Sequence, residues 1–249
     1  MGGYRRMNKR IIVFALLLSF NSLIYCEIAV AGFFNFLSGS GSTSTSSKYY
    51  SLDNEVSTLS NKARDLNPSV LRLSLKAYYE AQKRGVSLNK PILTIIDYSL
   101  PSNYKRMWVL DVEKRKLLFN TLVAHGKYSG EVYSTKFSDD DGSQQSSLGV
   151  FLMEDTYSGH NGYTLKMKGL EPGFNGKAET RHIVMHGAQY VSEELARIRG
   201  AIGRSWGCPA LDPKISNSVI STIKDGSLLV AYYPDKKWLR NSIFINSQS

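Results

Sequence analysis

From residue 91 onward the chain is a series of short apolar runs separated by polar turns, and this pattern limits what it can fold into. Residues 92–96 read ILTII, which is typical of a buried strand, and two further runs at 107–112 and 117–124 flank the charged turn EKRK as in a hairpin. More strand-like runs follow at 148–153, 163–167, 181–186 and 227–233. Many strands with few helices predict a mainly β (α+β) domain with a mixed, mostly antiparallel sheet.

Helical patterns precede and interrupt these strands. Apolar residues recur at helical spacing across 51–84, where Asn67-Pro68 divides two helices as an N-cap and a first helical residue. Short helices are also predicted at 192–199, capped by Ser192, and from Asp212-Pro213 to about residue 224. We therefore predict three segments in this part of the chain: a helical prelude at 51–88, a main domain at 89–237 and a C-terminal tail at 238–249.

The first 31 residues have the organisation of a secretory signal peptide. Four basic residues precede the apolar run at 11–18, and an Ala-x-Ala exit ends at Ala31. Polar residues interrupt the run too early for a membrane anchor, and the bulky Tyr25 disfavours a lipoprotein cleavage site before Cys26. We expect export to the periplasm or cell envelope, followed by a Gly/Ser/Thr-rich linker at 32–50. A membrane contact is expected only if Cys26 is lipidated or the leader is retained.

The chain is basic, with a formal net charge of +10 over 249 residues. The leader holds four basic residues and one acid, which leaves +7 for the remainder. The basic residues are scattered and no nucleic-acid recognition motif is present, so we expect no nucleic-acid partner. Anionic envelope polymers are one expected partner class; a simple contribution to solubility is the open alternative.

Cleavage after Ala31 would leave Cys208 as the only cysteine. Exported proteins usually pair their cysteines, so an unpaired one indicates an intermolecular bond or a reactive thiol. Its neighbours, Gly207 and Pro209, do not resemble the interior of a strand or helix. A nucleophilic thiol needs a base, and two histidines end strand-like runs just before a glycine: His125 and His186. Spacing alone does not separate these two candidates.

The remaining cofactor and metal patterns are absent from the sequence. Once the leader with Cys26 is removed, the one remaining cysteine and the four dispersed histidines lack the paired ligand spacing of zinc sites, so we predict no metal and no cofactor.

One pair of motifs carries a specific resemblance. The chain has His186-Gly187, then a spacer of 17 residues, and then Ser205-Trp206-Gly207-Cys208. This order and spacing resemble the signature of the murein L,D-transpeptidase (YkuD-like) catalytic domain. The chain departs from the commonest signature at Trp206, which replaces a second histidine, and at Pro209-Ala210, which replaces Arg-Asn. It is similar to a divergent branch of that family over roughly residues 90–233. The supporting motifs are Phe137-Ser138, SSLG at 146–149, Tyr157-x-Gly-x-x-Gly and GLExGxN at 169–175.

The resemblance implies a β-sandwich-type catalytic domain that acts on peptidoglycan stem peptides. In such enzymes a cysteine, here Cys208, attacks the carbonyl of the third residue of the stem, expels the terminal D-alanine and forms a thioester. His186 would take the thiol proton and later protonate the leaving amine. Backbone N–H groups at Gly207 and Cys208 would form the oxyanion site, with Ser205, Gly187 and Trp206 in supporting positions.

Other residues are substrate-binding candidates. We expect Arg181 and Arg204 to pair with stem-peptide carboxylates. The cleft lining is expected to include His125, Tyr157, Tyr163 and Asn175. Either His125 or His182 supplies the role of the missing histidine, or none is needed. An L,D-carboxypeptidase or another peptidoglycan hydrolase with the same Cys-His site is an alternative function. A non-catalytic wall-binding module, favoured by Trp206, is a second.

Overall fold

The computed structural model describes residues 43–246, with side chains from residue 51 onward, and residues from Ser51 on form one unit. Five α-helices are present there: α1 Thr43–Ser60, α2 Pro68–Lys83, α3 Glu193–Arg199, α4 Pro213–Ile223 and α5 Lys236–Asn241. The eight strands are β1 Ile92–Asp97, β2 Met107–Asp111, β3 Lys116–Thr121, β4 Gly149–Gly159, β5 Gly162–Gly169, β6 Val184–Gly187, β7 Ala210–Leu211 and β8 Ser227–Tyr232. A 3₁₀ turn covers Lys127–Ser129. No helix in this part of the chain has the length and apolar character needed to cross a bilayer.

The eight strands form one sheet in the order β3-β2-β1-β8-β4-β5-β6-β7. The pairs β1–β8 and β6–β7 are parallel and the other five are antiparallel, which confirms the predicted mixed, mostly antiparallel sheet. The sheet also curls back on itself. The chain just after β3 meets the chain around β7 through bridges between Ala124 and Ala210 and between Gly126 and Ser205. This near-closure brings the two ends of the sheet together beside β6.

Apolar clusters cover both faces of the sheet. Along β8, Leu228 and Val230 pack into the cluster that includes α2, while Leu229 and Ala231 pack into the cluster that includes α4. This alternation is the two-residue period of a strand buried on both sides. The N-cap predicted at Asn67 and the helix start predicted at Asp212-Pro213 are confirmed: the side chains of Asn67 and Asp212 accept backbone N–H bonds at the starts of α2 and α4.

Three predicted boundaries differ from the structure. Helix α1 begins at Thr43, inside the predicted linker at 32–50, because serine and threonine weaken a helix without breaking it. The predicted tail at 238–249 instead contributes most of α5, in which Trp238 is fully buried and donates its indole N–H to Glu171. The strand predicted at 181–186 begins only at Val184, since a turn with His182 at a φ of 53° precedes it. The predicted signal peptide and linker residues 32–42 lie outside the described residues.

Candidate active site

The Ser205–Cys208 turn delivers the cysteine to the edge of β6. In the parallel β6–β7 pair, His186 lies opposite Ala210. Two residues before Ala210, the Cys208 Sγ lies 3.5 Å from the Val184 backbone N and 3.6 Å from the His182 carbonyl oxygen. Val184 and His186 project from the same face of the strand, about 7 Å apart along it. The Cys208 thiol therefore contacts the backbone of β6 two residues before His186.

Hydrogen bonds within the turn hold its shape. The Ser205 hydroxyl donates to the Cys208 carbonyl at 2.6 Å and accepts the Gly207 N–H at 3.0 Å. Gly207 has a φ of 127°, and a Cβ there would lie 2.9 Å from the Gln145 carbonyl oxygen, so only glycine fits. The buried Ser146 hydroxyl donates to the Gly207 carbonyl from the other side.

These bonds change the predicted oxyanion site. Since the Gly207 N–H is already bound to Ser205, it is not free for a substrate oxyanion, and the prediction for Gly207 is wrong on this point. Within residues 51–246 the Cys208 N–H has no backbone partner and interacts only with its own thiol. Pro209 has no N–H to offer. The Cys208 amide is therefore the donor that the turn leaves available.

The imidazole of His186 is held in one tautomer. Its Nδ1 lies 2.9 Å from the Gly187 carbonyl oxygen, which can only accept, so Nδ1 carries the proton and Nε2 has a free lone pair. Burial lowers the pKa of His186, and the bond to Gly187 partly opposes this. Gly187 also lets α4 approach, because a Cβ there would lie 2.7 Å from the Ser216 hydroxyl. His186 is thus a neutral base near pH 7.

The thiol of Cys208 is a protonated partner for this base. Burial raises its pKa, while the Val184 N–H and the positive charge of Arg181 lower it. Its S–H points to the His182 carbonyl. The S–H therefore rests on that carbonyl, and the thiol is uncharged near pH 7.

Comparison with known proteins identifies the family. The model of the L,D-transpeptidase catalytic domain matches residues 62–232. The chain belongs to the L,D-transpeptidase catalytic domain family. Members of this family are acyltransferases that act on peptidoglycan. The resemblance seen in the sequence and the predicted fold are both confirmed.

Comparison with solved structures found L,D-transpeptidases that are similar at low identity and low TM-score. The chain is similar to one from Mycobacterium smegmatis, with 13% identity, a TM-score of 0.35 and coverage of 57% of this chain and 59% of that one. It is also similar to one from Stackebrandtia nassauensis, with 16% identity, a TM-score of 0.37 and coverage of 65% and 66%. The match thus spans about three fifths of the first of these structures and about two thirds of the second. Comparison with curated proteins found no match.

In this L,D-transpeptidase domain Arg181 is an internal anchor rather than a free substrate-binding group. Its side chain is only 3% exposed and donates to the Ser138 and Gln145 carbonyls at 2.7 and 2.9 Å. It also donates to the hydroxyls of Ser143 and Ser147. The prediction of a carboxylate-binding Arg181 is wrong because these acceptors occupy its N–H groups. Instead, Arg181 fastens the segment 138–147 beside the Ser205–Cys208 turn.

His125 is likewise structural, and the prediction that it lines the substrate cleft is wrong. It is fully buried, with Nδ1 accepting from Arg106 at 2.7 Å and Nε2 donating to the Gly130 carbonyl at 3.2 Å. Burial and the Arg106 charge lower its pKa to about 4, so it stays neutral. Its own carbonyl accepts the Ser205 N–H, which ties His125 and Arg106 to the Ser205–Cys208 turn. A lone arginine beside a strand gives no sequence signal, which is why Arg106 was missed.

Two further substrate candidates are placed in the scaffold. Asn175 is fully buried, and its amide bridges the Glu171 N–H and the Val150 carbonyl. Tyr163 packs on the α4 face of the sheet, opposite the face of His186, with its hydroxyl 3.4 Å from Thr156. The prediction for Asn175 is therefore wrong, because its side chain satisfies the fold, while Tyr163 is half-buried and its place in the cleft stays a prediction.

The remaining candidates stay accessible. Tyr157 is 42% exposed and lies in the same cross-strand row as Thr164 and His186, so its side chain shares their face. Trp206 is 77% exposed at the tip of the Ser205–Cys208 turn, where the commonest family signature has a histidine. His182 contributes its backbone carbonyl, not its exposed ring, to the thiol. Within residues 51–246 no three His, Cys, Asp or Glu side chains are grouped to hold a metal ion.

Proposed function

We propose that this chain is a cysteine L,D-transpeptidase that processes peptidoglycan stem peptides through a thioester on Cys208. The observation that carries the proposal is the contact of this thiol with the Val184 backbone N–H of β6. The same strand carries His186, whose Nε2 lone pair is free. The family match supports the reaction class. The basic composition is compatible with anionic wall polymers as additional partners.

The proposed reaction has two halves. The Cys208 S–H gives its proton to Nε2 of His186, and the sulfur attacks the carbonyl of the third stem residue. The Cys208 N–H donates to the developing oxyanion. The imidazolium then returns the proton to the departing D-alanine amine, which leaves a thioester. The amine of a second stem peptide attacks the thioester, passes its proton to His186 and regenerates the thiol.

Export to the periplasm or cell envelope is a second part of the proposal. It is supported by the basic and apolar leader that ends at Ala31. N-terminal sequencing of the protein recovered from the envelope fraction tests it, and we expect Gly32 as the first residue. Recovery of the uncleaved chain in the cytosol contradicts it.

Purified protein incubated with stem tetrapeptides, followed by mass spectrometry, tests the enzymatic part. We expect wild type to release D-alanine and form cross-linked product, Cys208→Ala to do neither, and His186→Gln to be slower by about 10²–10⁴-fold. His160→Gln, at the exposed tip of the β4–β5 hairpin, is the matched control and should retain full activity. Identical product profiles for wild type and Cys208→Ala contradict the proposal. Release of D-alanine without cross-links indicates hydrolysis of the same thioester.

A further inference from the structure

A cavity of about 330 Å³ lies beside the Ser205–Cys208 turn and is lined by Gly203 and Arg204, which directly precede it. Three cations line it, namely Lys127, Arg199 and Arg204, with a single acid, Glu131. The side chains of Leu195 and Ile202 form an apolar wall. A concave site with apolar walls and a few convergent polar groups is the usual form of a small-ligand site. The excess of positive charge favours an anionic ligand.

Arg204 presents one edge of its guanidinium to the protein and leaves the other free. Its Nη1 donates to Glu131 at 2.7 Å and to the Lys127 and Gly130 carbonyls, both at 3.2 Å. Nε and Nη2 have no partner among residues 51–246. These two N–H groups are parallel and match the two oxygens of a carboxylate. The wall contacts fix the guanidinium in place, so little freedom is lost when a carboxylate binds.

The cavity is connected to the nucleophile through Tyr190. Tyr190 lines the cavity, and its carbonyl accepts the Gly203 N–H at 2.7 Å. Gly203 stands two residues before the Ser205–Cys208 turn. Burial, and next the negative charge of the Cys208 thiolate, raise the pKa of Tyr190 to about 12. A ligand in the cavity would lie beside Gly203 and Arg204, which directly precede the Ser205–Cys208 turn.

We propose that this cavity binds the C-terminal carboxylate of a stem peptide, with the free edge of Arg204 as the carboxylate fork. The identity of the peptide rests on the proposed function; the carboxylate chemistry rests on the cavity. A volume of about 330 Å³ is at the small end of ligand sites and suits the last one or two residues of a peptide. The apolar wall of Leu195 and Ile202 suits a small side chain such as that of alanine.

Binding to Cys208→Ala protein tests the cavity without any turnover. The probes are a stem tetrapeptide ending in D-alanine as the free acid and as the C-terminal amide, measured by isothermal titration calorimetry. We expect the free acid to bind about 10- to 100-fold more tightly, as for a hydrogen-bonded charge pair, and Arg204→Gln to abolish this preference. Arg197→Gln, an exposed arginine of α3 outside the cavity, is the matched control and should keep it. Equal affinity for acid and amide overturns the proposal.

A second variant covers the possibility that Arg204→Gln does not fold. Arg204→Lys keeps the positive charge but lacks the paired N–H groups, and we expect it to reduce the preference at least tenfold. An unchanged preference in folded Arg204→Lys also overturns the proposal. If binding depends on Arg204 but the protein with an intact Cys208 shows no acyl transfer, the proposed function is refuted and the cavity assignment stands.

Acyl transfer between two stem peptides of different mass then assigns the bound carboxylate. The C-terminus is amidated in the donor alone or in the acceptor alone, and the Michaelis constant of each is measured in wild type and Arg204→Gln. We expect amidation of the peptide that occupies the cavity, whether donor or acceptor, to raise the Michaelis constant of that peptide about 10- to 100-fold. For the amidated peptide, wild type and Arg204→Gln should then have the same Michaelis constant. Active enzyme that responds to neither amide, with Arg204→Gln equal to wild type, refutes the cavity assignment and leaves the proposed function standing.

Discussion

Acidification should destabilise this domain through His125. Its folded pKa is about 4 because the imidazole is buried against Arg106, whereas an unfolded histidine titrates near 6.5. A base with a lowered folded pKa contributes stability above pH 6.5 that is lost as the pH falls toward 4. At pH 4.5 the unfolded imidazole is almost fully protonated and the folded one only about a quarter. The free energy of unfolding should therefore drop by about 2.5 kcal/mol between pH 7.5 and pH 4.5 from this residue alone.

Urea unfolding of wild type and His125→Gln at both pH values measures this term. Glutamine keeps an oxygen for Arg106 and an N–H for the Gly130 carbonyl but does not titrate. Other titrating groups affect both proteins equally, so the difference between the two pH dependences isolates His125. With a slope of about 2–3 kcal/mol/M, the wild-type midpoint should fall by about 1 M more than that of the variant. Parallel loss of stability in both proteins would refute the neutral, buried assignment of His125.

The other predictions concern the turn and the C-terminal helix. Because burial raises the pKa of Cys208, its alkylation by iodoacetamide should still be accelerating above pH 8.5; a plateau already reached at pH 7 contradicts this. Gly207→Ala should cut kcat/KM at least tenfold while the protein stays folded, since its Cβ would meet the Gln145 carbonyl; unchanged activity argues against the rigid turn. Trp238→Ala should cost about 3–5 kcal/mol of unfolding free energy, because it empties a fully buried site and removes the bond to Glu171; a loss under 1 kcal/mol in urea unfolding would show that the helix is dispensable.

Local patterns of the sequence determine the elements and the motif that carries the chemistry. Alternating and continuous apolar runs predict the strands, because burial on one or both faces of a sheet requires them. Asn67, Ser192 and Asp212 mark helix starts since their side chains satisfy the first free N–H groups of a helix. The order His-Gly, spacer, Ser-Trp-Gly-Cys carries the resemblance to the family that the catalytic-domain match shows, and it makes Cys208 and His186 the proposed nucleophile and base.

The partners of each polar side chain depend on how the sheet closes, which involves residues far apart in the chain. Arg181 and Arg204 look alike in the sequence, yet the fold surrounds the first with acceptors from residues 138–147 and leaves an edge of the second free. His125 and His186 both end an apolar run before a glycine. Closure buries His125 against Arg106, whereas it pairs His186 with Ala210 of β7. Local periodicity records which face of an element is buried, whereas hydrogen-bond satisfaction and pKa arise from long-range contacts, which only the tertiary structure decides.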